Sequence, residues 1–244
     1  MKYLLCFLFS FTATVSDAQS ALNNTDSLGN ADKSALKVDS LFKPLMTPFY
    51  LKQVYVPAAL MTTGIVSTTI FTASIKFRIA EERNEHFSNF HTSIDNYLQY
   101  APIPIAYGLD AFGFKSKNDI LNRSLILLKG EALMFVTVNI LKYTTNELRP
   151  DAANIHSFPS GHTAQAFAAA TFLSEEYKDK YPWISYMAYG MAGTTGLLRI
   201  ANNKHFVGDV LMGAGMGILS MKLSYWTHQY RWGKRHHKSG IKSS

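Results

Sequence analysis

The chain is 244 residues long, with 47% apolar and 17% charged residues and a formal net charge of +7. The charged share lies below the roughly 25% of soluble domains and favours membrane association, although the mean hydropathy is near zero. No basic patch interleaved with aromatic residues marks a nucleic-acid module, and the single cysteine, Cys6, excludes a disulfide framework, a thiol nucleophile and a cysteine metal site.

Met1 to Ser20 reads as a secretory signal, with Lys2 at its charged start and Tyr3 to Phe11 as its apolar stretch. Ser16-Asp17-Ala18 supplies a small-x-small cleavage site, which makes residues 1–18 the signal peptide. An uncleaved anchor helix is the alternative. Residues 19–50 form a polar arm rich in Ser, Asn, Asp and Lys. A helical domain is expected over 51–230, followed by a basic tail at 231–244.

Within that domain, apolar segments fall at roughly 54–75, 97–113, 121–143, 161–174, 183–200 and 207–226. Each is long enough, or nearly so, for a buried or spanning helix. No strand alternation competes, so the fold class is all-α: a bundle of about six apolar helices, expected to be membrane-embedded. Lys129 and Glu131 in the third segment are expected to face a shared interior. Gly213, Gly215 and Gly217 in the last would let helices pack closely. Tyr225–Trp226 and Tyr230–Trp232 read as an interfacial belt before the tail cations Arg231, Lys234, Arg235, Lys238 and Lys242.

A basic end after an apolar helix marks the cytoplasmic side. Counting helices backwards puts Lys115–Asn118 and Glu175–Lys180 on that side too, and puts 142–162 and 200–206 together on the opposite face. Six spans conflict with a cleaved signal, and the preferred resolution is that the threonine-rich first segment does not span.

Three polar clusters therefore share one end. Lys142 and Arg149 precede Pro150; Pro159-Ser160-Gly161-His162 opens a helix; Arg199 precedes His205 and Asp209. Cations, a hydroxyl and backbone N–H groups at a helix N-terminus make an oxyanion cradle. His205 and Asp209 lie four apart, on one helix face, so the carboxylate can accept from one imidazole nitrogen and leave the other as a nucleophile or base. Lys204, His156 and Asn154 are close in sequence, but no role is assigned to them.

The three clusters resemble the signature of the type 2 phosphatidic acid phosphatase superfamily: Lys-x6-Arg-Pro, Pro-Ser-Gly-His and Ser-Arg-x5-His-x3-Asp. The match runs over residues 142–209, with Leu198 standing where serine is usual. The resemblance implies that Lys142, Arg149 and Arg199 bind the phosphoryl group with the Ser160 hydroxyl and the Gly161 backbone. It further implies that His205 is the nucleophile, that Asp209 holds its imidazole, and that His162 protonates the leaving oxygen. No metal or other cofactor is implied, since the cations would offset the transition-state charge. The expected partners are a phosphorylated lipid and the membrane, not nucleic acid.

The expected activity is a lipid phosphatase of the inner membrane with a periplasm-facing site. Polyprenyl diphosphate, phosphatidic acid, phosphatidylglycerol phosphate and lipid A phosphates all fit. The alternatives are a soluble periplasmic or secreted acid phosphatase, a vanadium haloperoxidase, and a scaffold that binds anionic lipid without hydrolysing it.

Overall fold

The computed structural model describes residues 50–69, 73–87 and 90–228. The signal segment, most of the polar arm, Tyr230–Trp232 and the basic tail lie outside the described residues. Within them, eight helices and no strands are found: α1 (Lys52–Thr69), α2 (Ala73–Phe87), α3 (Ile94–Leu98), α4 (Pro102–Ala111), α5 (Ile120–Thr145), α6 (Gly161–Tyr177), α7 (Trp183–Ala201) and α8 (Val207–Trp226). The class is all-α, as the periodicity predicts.

Two differences from the predicted segments have local causes. The 97–113 segment is two helices, because Pro102 takes the first position of α4 and cannot continue α3. The polar helix α2, with Arg78, Glu81, Glu82, Arg83 and Glu85, has no apolar run by which periodicity would find it.

Helix α8 is the centre of the bundle. It packs on α6, α1 and α5, and α6 packs in turn on α7, α4 and α5. Ala164, Ala166, Ala168, Ala169 and Ala170 of α6 are fully buried, so that helix presents small side chains almost all round. On α8, a Cβ added at Gly213 would strike the Ser160 carbonyl, and one at Gly217 the Ala164 carbonyl. These glycines bring the α6 and α8 backbones together, as the small-residue pattern predicts.

The hydroxyls of Ser67, Thr68 and Thr69 in the last turn of α1 bond back along their own helix. Thr68 Oγ1 donates to the Ile65 carbonyl at 2.9 Å and Thr69 Oγ1 to the same oxygen at 2.8 Å, while Ser67 Oγ donates to Gly64 at 2.9 Å. A sequence rich in hydroxyls thus shows its neighbours a largely hydrocarbon surface.

Helix α5 begins at an Asp119 N-cap, whose carboxylate accepts from Asn122 N. It ends at Asn146 in the left-handed conformation (φ 47°). Its 26 residues reach roughly 39 Å at 1.5 Å per residue. Among the described residues it is the one helix long and apolar enough to cross a membrane by length and composition. Leu128, Phe135, Val136 and Ile140 on it are exposed.

Two expectations about these helices are corrected. Lys129 and Glu131 are two apart and so point to different sides of α5; Glu131 turns to α6, where it accepts from Gln165 Nε2 at 2.8 Å. Tyr225 and Trp226 are buried, not an exposed belt. Tyr225 OH donates to Glu176 Oε1 at 2.7 Å and Trp226 Nε1 to Gln53 Oε1 at 2.8 Å, and these polar tips are satisfied inside the protein.

The sorting of loops by end is met by the geometry. Lys117 N donates to the Glu176 carbonyl at 2.8 Å, and Asn118 donates twice to the Glu176 carboxylate. The 115–118 and 175–180 segments therefore share one end of the bundle. The 146–160 and 202–206 segments share the other.

Candidate active site

The second polar end is assembled on the N-termini of α6 and α8 and the C-termini of α5 and α7. Ser160 is the N-cap of α6, and its Oγ lies 2.9 Å from Thr163 Oγ1 and accepts from Thr163 N. Its own N–H donates to the Asp209 carbonyl at 3.0 Å. That bond ties the cap of one helix to the first turn of the other.

Asp209 is wholly buried. Its Oδ2 accepts from Ser157 Oγ, from Phe206 N at 3.0 Å and from His205 Nδ1 at 3.4 Å. One carboxylate thus closes the first turn of α8, pins the 150–160 loop and orients the imidazole. The bond to His205 is long, a common feature of catalytic pairs before substrate binds. With Nδ1 facing the carboxylate, Nε2 is the nitrogen left for chemistry.

His205 sits in the loop before α8 and is 2% exposed. Burial pushes its imidazole down to about 4, against the raising pull of Asp209 and with Lys142 and Arg199 adding to the depression. The ring is therefore neutral at ordinary pH, as a nitrogen nucleophile must be.

The cations converge on the same place. Lys142, in the last turn of α5, donates from Nζ to the Pro159 carbonyl at 2.7 Å and the His156 carbonyl at 3.0 Å. Two of its three protons are spent there, leaving one for a ligand. Its stem runs past Gly161, where an added Cβ would stand 3.7 Å from Cε. Arg149, Arg199 and Asp209 are the charges that act on Lys142, and Arg199 and Asp209 act on Arg149 as well. The Nε atoms of Arg149 and Arg199 are buried with no hydrogen-bond partner. Unsatisfied guanidinium donors in a buried cationic site are a strong attractor for an oxyanion.

All eight residues singled out from the sequence therefore meet at one end of the bundle. The structure adds four that the motifs do not contain. Asp95 of α3 is 1% exposed and pairs with Arg199 Nη1 at 2.6 Å. Asn96, its neighbour, places Oδ1 2.9 Å from His162 Nε2. Ser157 holds Asp209. Asn202 fixes the approach of α3, accepting from Thr92 N at 3.0 Å and donating to Thr92 O at 2.8 Å. Among the sequence neighbours left without a role, Lys204 pairs with Asp151 at 2.7 Å, joining the two loops that carry the site.

An apolar cavity of about 270 Å³ opens beside His205, between α1, α2 and the start of α8. Thr63, Ser67, Thr68, Ile200, Val207 and Leu211 line it. The back-bonded hydroxyls of Ser67 and Thr68 explain how polar residue types make a hydrocarbon wall.

Residues 123–233 match the family described as the PAP2 superfamily. Over 163 residues the chain is 40% identical to a lipid A 1-phosphatase of Porphyromonas gingivalis, covering 66% of this chain and 37% of that relative. The chain thus spans little more than a third of the length of this curated relative. Among solved structures, a PAP2-type phosphatidylglycerolphosphate phosphatase of Bacillus subtilis shares the fold, with 22% identity, a TM-score of 0.51, and coverage of 70% of this chain and 94% of that one. LpxE of Aquifex aeolicus matches with 26% identity and a TM-score of 0.45, over 59% of this chain and 92% of that one.

Proposed function

We propose that this chain, whose residues 123–233 match the PAP2 superfamily, is a phosphatase that removes phosphate from a membrane lipid of the lipid A type. One observation carries the reading. Three cations, two of them with orphaned buried donors, surround a neutral imidazole that is oriented by a buried carboxylate. The 40% identity to a lipid A 1-phosphatase favours that substrate over other phosphorylated lipids.

In this mechanism Lys142, Arg149 and Arg199 hold the phosphoryl oxygens, with the Gly161 backbone and the Ser160 cap at the helix N-terminus. His205 Nε2 attacks phosphorus as the bond to the lipid oxygen breaks, and His162 gives that oxygen a proton. Water then attacks the phosphohistidine, gives a proton to His162 and releases inorganic phosphate. The cations offset the charge that a divalent ion would otherwise neutralise. Leu198 stands where the family pattern has serine, and none of these steps calls on a side-chain hydroxyl at that position.

Membrane insertion is supported by α5, which is long and apolar enough to cross a bilayer and whose exposed face carries Leu128, Phe135, Val136 and Ile140. The positive-inside bias of the tail cations supports a reading with the opposite end in the cytoplasm and the site at the periplasmic face of the inner membrane. The apolar cavity beside His205 offers a place for a hydrocarbon chain.

The test is phosphate release by the purified protein from lipid A, phosphatidic acid and phosphatidylglycerol phosphate, with and without EDTA. Release from lipid A that survives EDTA is expected; activity lost to the chelator contradicts the metal-free mechanism. A pH profile adds a second check. Attack requires an unprotonated His205 and leaving-group release a protonated His162, and burial pushes both imidazoles down to about 4, so both limbs of kcat/KM are expected on the acid side of the 6.5 of an ordinary imidazole. The sign for stability is the same: between about 4 and 6.5 the unfolded chain binds the proton that buried His205 refuses, so stability falls as pH drops through that window.

A further inference from the structure

Helix α3 lies outside the three motif clusters, yet its adjacent residues Asp95 and Asn96 reach two different site residues, Arg199 and His162. The helix has little freedom. Asn202 brackets Thr92 through both backbone groups and reaches Asp95 Oδ1 at 3.4 Å, and Asp95 is locked to Arg199. Gln99 Nε2 donates to the Asn96 carbonyl at 3.0 Å. Asn96 is therefore presented to His162 from a platform anchored to the end of α7.

We propose that Asn96 is a positioning residue that decides which nitrogen of His162 handles the proton. With Asn96 Oδ1 2.9 Å from Nε2, that nitrogen keeps its hydrogen in both the charged and the neutral ring. The labile proton then resides on Nδ1. It passes from Nδ1 to the lipid oxygen as the phosphorus–oxygen bond breaks, and Nδ1 recovers a proton from the water that opens the phosphohistidine. Without Asn96 the neutral ring divides between two tautomers, and the imidazolium loses an acceptor.

This inference rests on the phosphatase reading, and the experiment separates the two. Asn96→Ala and Asn96→Asp are compared with the unaltered protein on a lipid phosphate, whose alkoxide must be protonated to leave, and on p-nitrophenyl phosphate, whose phenolate leaves without help. Read as kcat/KM, which reports phosphoryl transfer to His205 and not the later water step common to both substrates, Asn96→Ala is expected to slow lipid hydrolysis about 10- to 100-fold, with the alkaline limb displaced to lower pH, and to leave the aryl phosphate within about threefold. Asn96→Asp keeps the acceptor and adds negative charge, so lipid hydrolysis should recover and the alkaline limb should move to higher pH. Equal slowing of both substrates by Asn96→Ala without a shift in profile, or no slowing of either, overturns the inference. So does failure of Asn96→Asp to recover activity, which would mean that the amide donates. Inactivity of the unaltered protein on both substrates overturns the phosphatase reading and this inference with it.

Discussion

His205→Ala should abolish phosphate release, with a loss on the order of 10⁵-fold or more, as when other covalent nucleophiles are removed. The variant keeps every ligand-binding cation. Lys142 is held by two carbonyls of the 156–159 loop and Arg199 by Asp95, and neither restraint involves the imidazole. Lipid binding, measured by co-sedimentation with lipid A vesicles, should therefore survive while turnover disappears. Undiminished turnover would remove His205 from the nucleophile role and leave the Lys142–Arg199 cradle without its chemistry.

Asp95→Ala should be the most damaging single change away from the motifs. The pair with Arg199 is 2.6 Å long, and both side chains are nearly inaccessible. Removing the carboxylate strands a guanidinium in a site already crowded by Lys142 and Arg149. Breaking a buried pair from one side costs about 3–5 kcal/mol, which should appear as a marked fall in Tm in detergent. Inorganic phosphate, by supplying the missing negative charge, should restore part of that Tm in the variant and add less to the unaltered protein. A Tm unchanged by the substitution would show that Arg199 finds another partner.

The motif residues are legible because each needs a particular residue type at a fixed short spacing: a step of four positions from His205 to Asp209, and a cap at Ser160 two positions before His162. Their helices were legible because apolar runs such as 207–226 are long and unbroken. What stayed hidden depends on distance in sequence. Asp95 is 104 residues from Arg199 and Asn96 is 66 from His162, and nothing in an Asp-Asn pair between Ile94 and Tyr97 announces either partner. Helix α2 was missed for a different reason. Its charged residues bear on the fold through polar anchors such as Arg83, which donates from Nε to the Ala201 carbonyl at 2.8 Å and from Nη2 to Phe90 O at 3.2 Å, and hydropathy does not register such anchors. The aromatic residues at the end of α8 misled because Tyr and Trp suit both a wet interface and a buried polar network.

The glycine contact between α6 and α8 has a mechanical meaning. Main chain rests on main chain at Gly213 and Gly217, and the adjoining ends of these two helices hold the proposed acid, His162, and the proposed nucleophile, His205, just before α8. A joint of that kind has no side chain that can change rotamer to let one helix slide past the other. His162 and His205 are consequently expected to keep a fixed spacing, and adjustment to the shape of a substrate falls to elements outside that joint, such as α2 and the side chains that wall the apolar cavity. Retuning this protein for a different lipid should start from those movable parts, because a shift along α6 or α8 would misalign both halves of the reaction at once.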